Sequence, residues 1–304
     1  MTLNSNHEQT SSPFVSVIIN CYNGEKYISE AIKCVLSQTF ADFELIVWNN
    51  RSTDSTQKLV ESFRDSRIRH YLAKQHSTLA EARNKAVEKA YGQWIAFLDC
   101  DDLWKAQKLQ KQAELIRRNP ENLGLVYGRS GLIANNAGFG EKKIVRLRHF
   151  YLNRNLPGTN AFNELLRYNN FFVFSSVMIK KESYVRVGGI DPQYKYAEDY
   201  DLVLKIGEKH RIMKIDEVIV DYRIHDSNLT FRHTRELLCE SRSVLNKYHK
   251  YPLSGVGINR INIQLSMIEL KKGNILSFLS YYHSLSIIKD FFEMANEKRK
   301  KYRK

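Results

Sequence analysis

The sequence predicts an α/β chain built on a mostly parallel central sheet and continued by a helical C-terminal extension. Three observations carry this. Short β-branched apolar runs alternate with stretches whose apolar residues recur at helical spacing, turn residues cluster between them, and beyond about residue 230 the pattern turns helical. A chain of 304 residues with 43% hydrophobic content is long enough to bury the core of one large α/β domain with an extension. The expected division is a disordered 1–12, an α/β domain over 13–230, and a helical extension over 231–304 ending in the basic run EKRKKYRK.

FVSVII (14–19) reads as the first strand, Asn23-Gly24 as the turn after it, and EKYISEAIKCVLSQ as a helix. FELIVW (43–48) is the second strand. The turn NNRSTDS leads into a helix over TQKLVESF, for which Asp54, with Gln57 three residues on, is the expected cap. A short strand at IRHYL (68–72) follows. Thr78 and Glu81 spell a capping box in front of AEARNKAVEKA, Gly92 is expected to end that helix, and WIAFL (94–98) is the next strand. From 121 to 170, glycines and the basic run KKIVRLRHF suggest a sheet edge or β-ribbon with a mobile loop. FFVFSSVMIKKESYVRVGGIDPQY then reads as a strand, a short helix and a Gly-Gly turn. Residues 199–209 follow as a helix with an acidic start, and RIMKIDEVIVDYRIH as a strand. In the extension Ile275, Phe278, Leu279, Tyr282, Leu285, Ile288 and Phe292 form an apolar face suited to packing on the domain or on a partner.

The formal net charge of +14 favours an anionic partner: nucleic acid, an acidic membrane surface or phosphorylated substrates. No recognised nucleic-acid motif accompanies the basic residues, so nucleic acid is set aside. No run approaches the roughly 18 apolar residues of a membrane span, and the polar start lacks the core of a signal peptide. The expectation is a cytoplasmic protein, with its basic tail near the anionic inner face of the membrane. Cys21, Cys34, Cys100 and Cys239 show no CxxC spacing, which argues against a disulfide framework and a zinc site.

In a parallel sheet the ligand lies at the carboxyl ends of the strands. Three loops meet there: Cys21-Tyr22-Asn23, Asn49 to Asp54, and Asp99-Cys100-Asp101-Asp102. Carboxylates that follow a buried strand need water, hydrogen-bond donors, a cation or a metal. Alternate side chains of an extended segment point the same way, so Asp99 and Asp101 can face one ligand. Acidity alone fits either a polar turn or a metal site.

In order and spacing, SVIINCYNGEKYISEAI, VWNNRSTDST, STLAEARNKAVEKAYGQWIAFLDCDD and GGIDPQYKYAEDYDL resemble the family 2 glycosyltransferases of the GT-A fold, over about residues 13–230. The resemblance implies an inverting enzyme that depends on Mn²⁺ or Mg²⁺. It would move a sugar from a nucleotide-diphosphate donor, with UDP the expected nucleotide, to a saccharide or lipid-linked acceptor in cell-surface polysaccharide synthesis. It further implies Asp101 as the direct metal ligand, Asp99 addressing the ribose or a metal-bound water, and His225 in DYRIHDSN as a further group on the metal or diphosphate. Asp199 of Ala197-Glu198-Asp199 becomes the base that deprotonates the acceptor hydroxyl, and Glu198 an acceptor or positioning contact. Asp102 is left to the turn. Cys21, Tyr22, Asn23 and Cys100 fall on the donor side, with Tyr22 stacking on the base and Arg83 and Asn84 reaching the diphosphate. The departure is Asn49, where family members usually carry an aspartate that accepts from the uracil N3 hydrogen. Asparagine keeps an acceptor oxygen and adds a donor. The competing classes are a metal-dependent nucleotidyltransferase, for which CYNGEKY is a poor phosphate loop, and a non-catalytic nucleotide-sugar-binding protein.

Overall fold

A computed structural model of the protein describes residues 12–134, 161–169, 171–225 and 228–283. Strands β1 (Val15–Cys21) and β2 (Phe43–Asn49) are buried along their whole length, which explains why both read as continuous apolar runs rather than alternating ones. Between them lies helix α1 (Ile28–Leu36), which buries Ile28, Ala31, Ile32 and Val35 at helical spacing. Helix α2 (Thr56–Glu61), strand β3 (Ile68–Leu72), helix α3 (Leu79–Glu88) and strand β4 (Trp94–Asp99) complete the regular half. After β4 come the two-residue β5 (Leu103–Trp104), helix α4 (Lys108–Arg118) and the long strand β6 (Leu123–Ala134). Helix α5 (Ala161–Tyr168), a 3₁₀ turn (Phe174–Ser176), β7 (Met178–Lys180), α6 (Lys181–Arg186), α7 (Glu198–Lys209) and β8 (Arg211–Ile224) follow. The C-terminal region supplies α8 (Leu229–Arg232), α9 (Thr234–Asn246), α10 (Pro252–Lys271) and α11 (Ile275–His283).

The strands form one eight-stranded sheet in the order β3-β2-β1-β4-β7-β6-β8-β5. Pairs β3-β2, β2-β1, β1-β4 and β6-β8 are parallel, whereas β7 runs antiparallel to both neighbours and β5 antiparallel to β8. Alternate residues of each strand serve two cores. Val17, Ile19 and Leu98 pack with α1, α2 and α4 on one face, while Ile18, Ile46 and Phe97 pack with α3, α5 and α7 on the other. Leu238, Val244 and Leu245 of α9 and Ile261 and Leu265 of α10 belong to the second core, so these C-terminal helices share its apolar interior.

The capping box is present: the Thr78 side chain accepts from Glu81 N, and the Glu81 side chain accepts from Thr78 N. Two readings change. The helix ends at Glu88, and Gly92 serves close approach instead, since a Cβ there would lie 2.4 Å from Ser16 N and 2.7 Å from Val15 C. The stretch expected as a sheet edge is interior: β6 runs between β7 and β8, with register irregularities on either side of Arg129. The basic run at 142–150 and the tail at 297–304 lie outside the described residues. Of the apolar face expected in the extension, Ile275 and Leu279 are exposed and Phe278 is half-buried. No helix among the described residues is long and apolar enough to cross a membrane.

Candidate active site

The carboxyl ends of β1, β2 and β4 do bring their loops together. Asn50 N donates to Cys21 O at 2.8 Å, Asn23 N to Ser52 Oγ, and Thr53 N to Asn23 Oδ1. Asn23 adopts a left-handed conformation (φ 51°), which asparagine tolerates better than most residues. Asp54 does not cap α2 in the expected way. Its carboxylate accepts from Glu25 N and from the N–H and hydroxyl of Thr56, so it ties the first loop to the second, and α2 begins after Ser55 with no side-chain cap. Gln57 is drawn to Asn49 instead.

Asn49 is fully buried. Its Oδ1 accepts from Ser52 N at 2.8 Å and its Nδ2 donates to Gln57 Oε1 at 2.8 Å, so its side chain closes the loop from beneath. Tyr22 is 48% exposed and its ring rests against His76 at 4.2 Å between centroids. His76 Nδ1 is in turn held by Asn50 O. The thiols of Cys21 and Cys100 are hydrogen-bonded, and this contact together with burial raises the Cys100 thiol well above its usual range.

The three carboxylates that end β4 have separate surroundings. Asp102 is buried, accepts from Ser175 Oγ (2.6 Å) and Arg223 N (2.9 Å), and is pushed above the ordinary carboxylate range by burial and by Asp101 and Asp99. Rather than serving the turn locally, it ties the end of β4 to Ser175 and to β8. Asp99 accepts from Arg83 at 2.6 Å. Asp101 Oδ2 faces His225 Nε2 at 2.9 Å, with 24% and 18% of the two side chains exposed. Arg223 fixes this corner: its Nε donates to Asp101 O, its Nη2 to Glu30, and its guanidinium lies over Tyr27, whose ring stacks on His225. Asn228 Oδ1 accepts from His225 N. A carboxylate oxygen beside an imidazole nitrogen suits a divalent transition metal that takes both oxygen and nitrogen ligands. Among the described residues no group of three His, Cys, Asp or Glu side chains converges, so this donor set fits a cation shared with ligand oxygens and water.

Helix α3 carries Arg83 into the interior, 3% exposed, where Nη1 donates to Glu198 at 2.9 Å and Nη2 to Asp99. One guanidinium thus stands among three carboxylates, Asp99, Glu198 and Asp199. It cannot neutralise all three, and Glu198, buried at the start of α7, holds a proton: burial and the neighbouring Asp199 raise its pKa to about 8 despite Arg83. Asn84 turns away from the cleft. Its Nδ2 donates to Ile190 O and its Oδ1 accepts from Ile190 N and Tyr184 OH, bracing the turn in which Gly188 and Gly189 have φ of 84° and 67°. The segment before Glu198-Asp199 is set by Glu240 of α9, whose carboxylate accepts from Lys195, Tyr196 and Ala197 N–H groups.

Asp99, Cys100, Asp101, Arg83, Glu198 and Asp199 all line one cleft of about 950 Å³, whose further walls come from Phe172–Phe174, the Lys195-Tyr196 turn, α9 and α10. A depression of about 780 Å³ around Tyr91, Gln93 and Lys180 has a single carboxylate, Glu182, and lies apart from this chemistry. Sequence reasoning missed Arg223, His76 and Glu240, each of which acts through a tertiary contact that local spacing does not encode, and Asn228, which bonds to nearby His225 and Arg223 and belongs to no recognised motif.

The α/β sheet with a carboxylate-lined cleft at its strand ends has the GT-A fold. Residues 16–185 match Glycosyl transferase family 2, and the chain belongs to that family and is a glycosyltransferase. This sets aside the nucleotidyltransferase and the non-catalytic binding protein. The chain is 32% identical over 244 residues to the UDP-Glc:alpha-D-GlcNAc-diphosphoundecaprenol beta-1,3-glucosyltransferase WfgD of Escherichia coli, covering 80% of this chain and 89% of that protein. It is 42% identical over 106 residues to the putative teichuronic acid biosynthesis glycosyltransferase TuaG of Bacillus subtilis, covering 34% and 42% of the two. Among solved structures it resembles S. aureus TarS in complex with UDP-GlcNAc (TM-score 0.64, 18% identity, 88% of this chain and 79% of that one). A mannosyltransferase from Pyrobaculum calidifontis in complex with GDP-Man and Mn²⁺ is similarly related (TM-score 0.60, 18% identity, 90% and 74%). At these identities the structural likeness establishes the fold.

Proposed function

We propose that this glycosyltransferase moves a sugar, with inversion, from a UDP-linked donor to a lipid-linked saccharide during surface polysaccharide synthesis. The observation that supports the reading is that Asp101, whose Oδ2 faces His225 Nε2, lines the same cleft as Asp199. The UDP donor and diphospholipid acceptor in the name of the E. coli relative supply the substrate classes.

Asp101 and His225 are the residues that would hold a divalent cation, which when bound offsets the negative charge left on the departing diphosphate. Tyr22 and His76 offer the uracil an aromatic face at the mouth of the first loop. Arg83 holds Asp99 and Glu198 in place. Asp199 takes the proton from the acceptor hydroxyl on the face opposite the leaving group, and the neutral Glu198 beside it keeps a second negative charge out of that position. Asn49 shapes the second loop and meets the base only through that loop. The basic C-terminal run favours association with an anionic leaflet.

A thermal-shift series with UDP, GDP, ADP and dTDP, with Mn²⁺ and with EDTA, tests the donor assignment. UDP with Mn²⁺ is expected to give the largest rise in Tm, and EDTA to remove most of it. A larger rise with GDP, or one indifferent to chelation, contradicts the reading.

A further inference from the structure

The cleft wall formed by strand ends and the start of α7 is anionic, carrying Asp99, Asp101 and Asp199 beside the neutral Glu198. The wall formed by the turn before α7 and by α10 is different: it presents Lys195, Arg260 and Lys271. Arg260 and Lys271 lie on one face of α10, eleven residues and about three turns apart. One step around the same helix, Ile263, Met267 and Leu270 are exposed at 38%, 56% and 52%. Single exposed apolar residues are ordinary, but three at i, i+4 and i+7 make a continuous stripe beside the cationic wall.

We propose that Lys195, Arg260 and Lys271 bind the diphosphate of a diphospholipid-linked acceptor, and that its hydrocarbon chain leaves along the Ile263–Met267–Leu270 stripe. The inference rests on the lipid-linked acceptor proposed above. An acceptor of that class brings a second diphosphate into a cleft that already receives the donor's. Asp99, Asp101 and Asp199 would repel it, so it needs cations of its own, and Lys195 with the α10 wall supplies them. Glu240 on α9 seats the Lys195 backbone, and the Lys195 ammonium lies over the ring of Tyr196, which also lines the cleft. The terminal sugar then lies between the two walls, within reach of Asp199, while the tail passes directly from the charged rim to an apolar surface. Sugar, diphosphate and lipid then meet the protein in the order in which they are linked.

The test is direct binding of two synthetic probes by the full chain: GlcNAc α-diphosphate esterified to a decyl group, and decyl α-GlcNAc without the diphosphate. Wild type is expected to prefer the diphosphate probe by more than about tenfold, and Lys195→Gln, Arg260→Gln and Lys271→Gln each to reduce that preference by roughly fivefold, as loss of a charge-assisted contact does. Lys195 and Lys271 are exposed, so those variants keep the fold, and UDP affinity measured on all three reports the integrity of the rest of the site. Inorganic diphosphate is expected to compete poorly. Equal affinity for the two probes, a preference surviving all three substitutions, or inorganic diphosphate competing as well as the probe overturns the site. Cation-dependent binding of the probe with no sugar transferred to it from any nucleotide sugar upholds the site and overturns the proposed function.

Discussion

Replacing Glu198 by glutamine isolates the proton that the buried cluster holds. The Glu198 carboxyl is 5% exposed, shares Arg83 with Asp99 and Asp199, and has its pKa raised to about 8 by burial and by Asp199. A folded-state pKa above the unfolded value means that the native protein keeps a proton the unfolded chain has released. The stabilisation is therefore complete below the unfolded value near 4.5 and is lost as pH rises towards 8, after which it is flat. Glutamine cannot titrate and mimics the neutral carboxyl in size and hydrogen bonding. Each pH unit in the window corresponds to about 1.4 kcal/mol for one proton, so the stability of wild type relative to Glu198→Gln should fall by roughly 4 kcal/mol between about pH 5 and 8. Urea unfolding of both proteins at half-unit intervals of pH measures this. A difference that stays level across the window would show Glu198 ionised throughout and paired with Arg83, and one that grows with pH would show its pKa depressed; either refutes the reasoning.

Two further substitutions probe contacts away from the reacting atoms. Glu240→Ala removes the acceptor for three backbone N–H groups ahead of Glu198, and is expected to lower kcat by about 10- to 100-fold with UDP affinity nearly intact, while Glu240→Gln, which keeps one acceptor oxygen, recovers part of the loss in steady-state kinetics. Gly92→Ala drives a Cβ to 2.4 Å from Ser16 N, a backbone atom of β1 that cannot give way, and should cost about 2 kcal/mol in urea unfolding.

The regular half of the fold was legible because its signals are local: β-branched runs, helical spacing and the Thr78–Glu81 box all act within a few residues. Strand β6 was misplaced at an edge because its glycines read as loop, whereas Gly128 and Gly131 sit where a side chain would strike Ile219 and Asp221 of β8. The loops that meet at the strand ends were legible from the alternation of strands and helices alone, whereas Asp102, read as a turn residue, found its partners in Ser175 and Arg223, far away in the chain. Asp54 and Gln57 read as a capping pair, yet each found a stronger partner across the loops. Arg223 and Glu240 were invisible for a related reason. Each reaches a segment far away in the chain, Arg223 the Asp101 carbonyl and Glu240 the turn before α7, and only the packed sheet and helices bring them there.

The central claim, that Asp199 deprotonates the acceptor in a cleft whose donor end is built separately, is tested most directly by Asp199→Asn. Transfer from a UDP-sugar to the diphospholipid probe is measured alongside UDP binding by calorimetry. The account predicts that turnover falls by about 10² to 10⁴ while the Kd for UDP stays within about twofold. Turnover near that of wild type would contradict it.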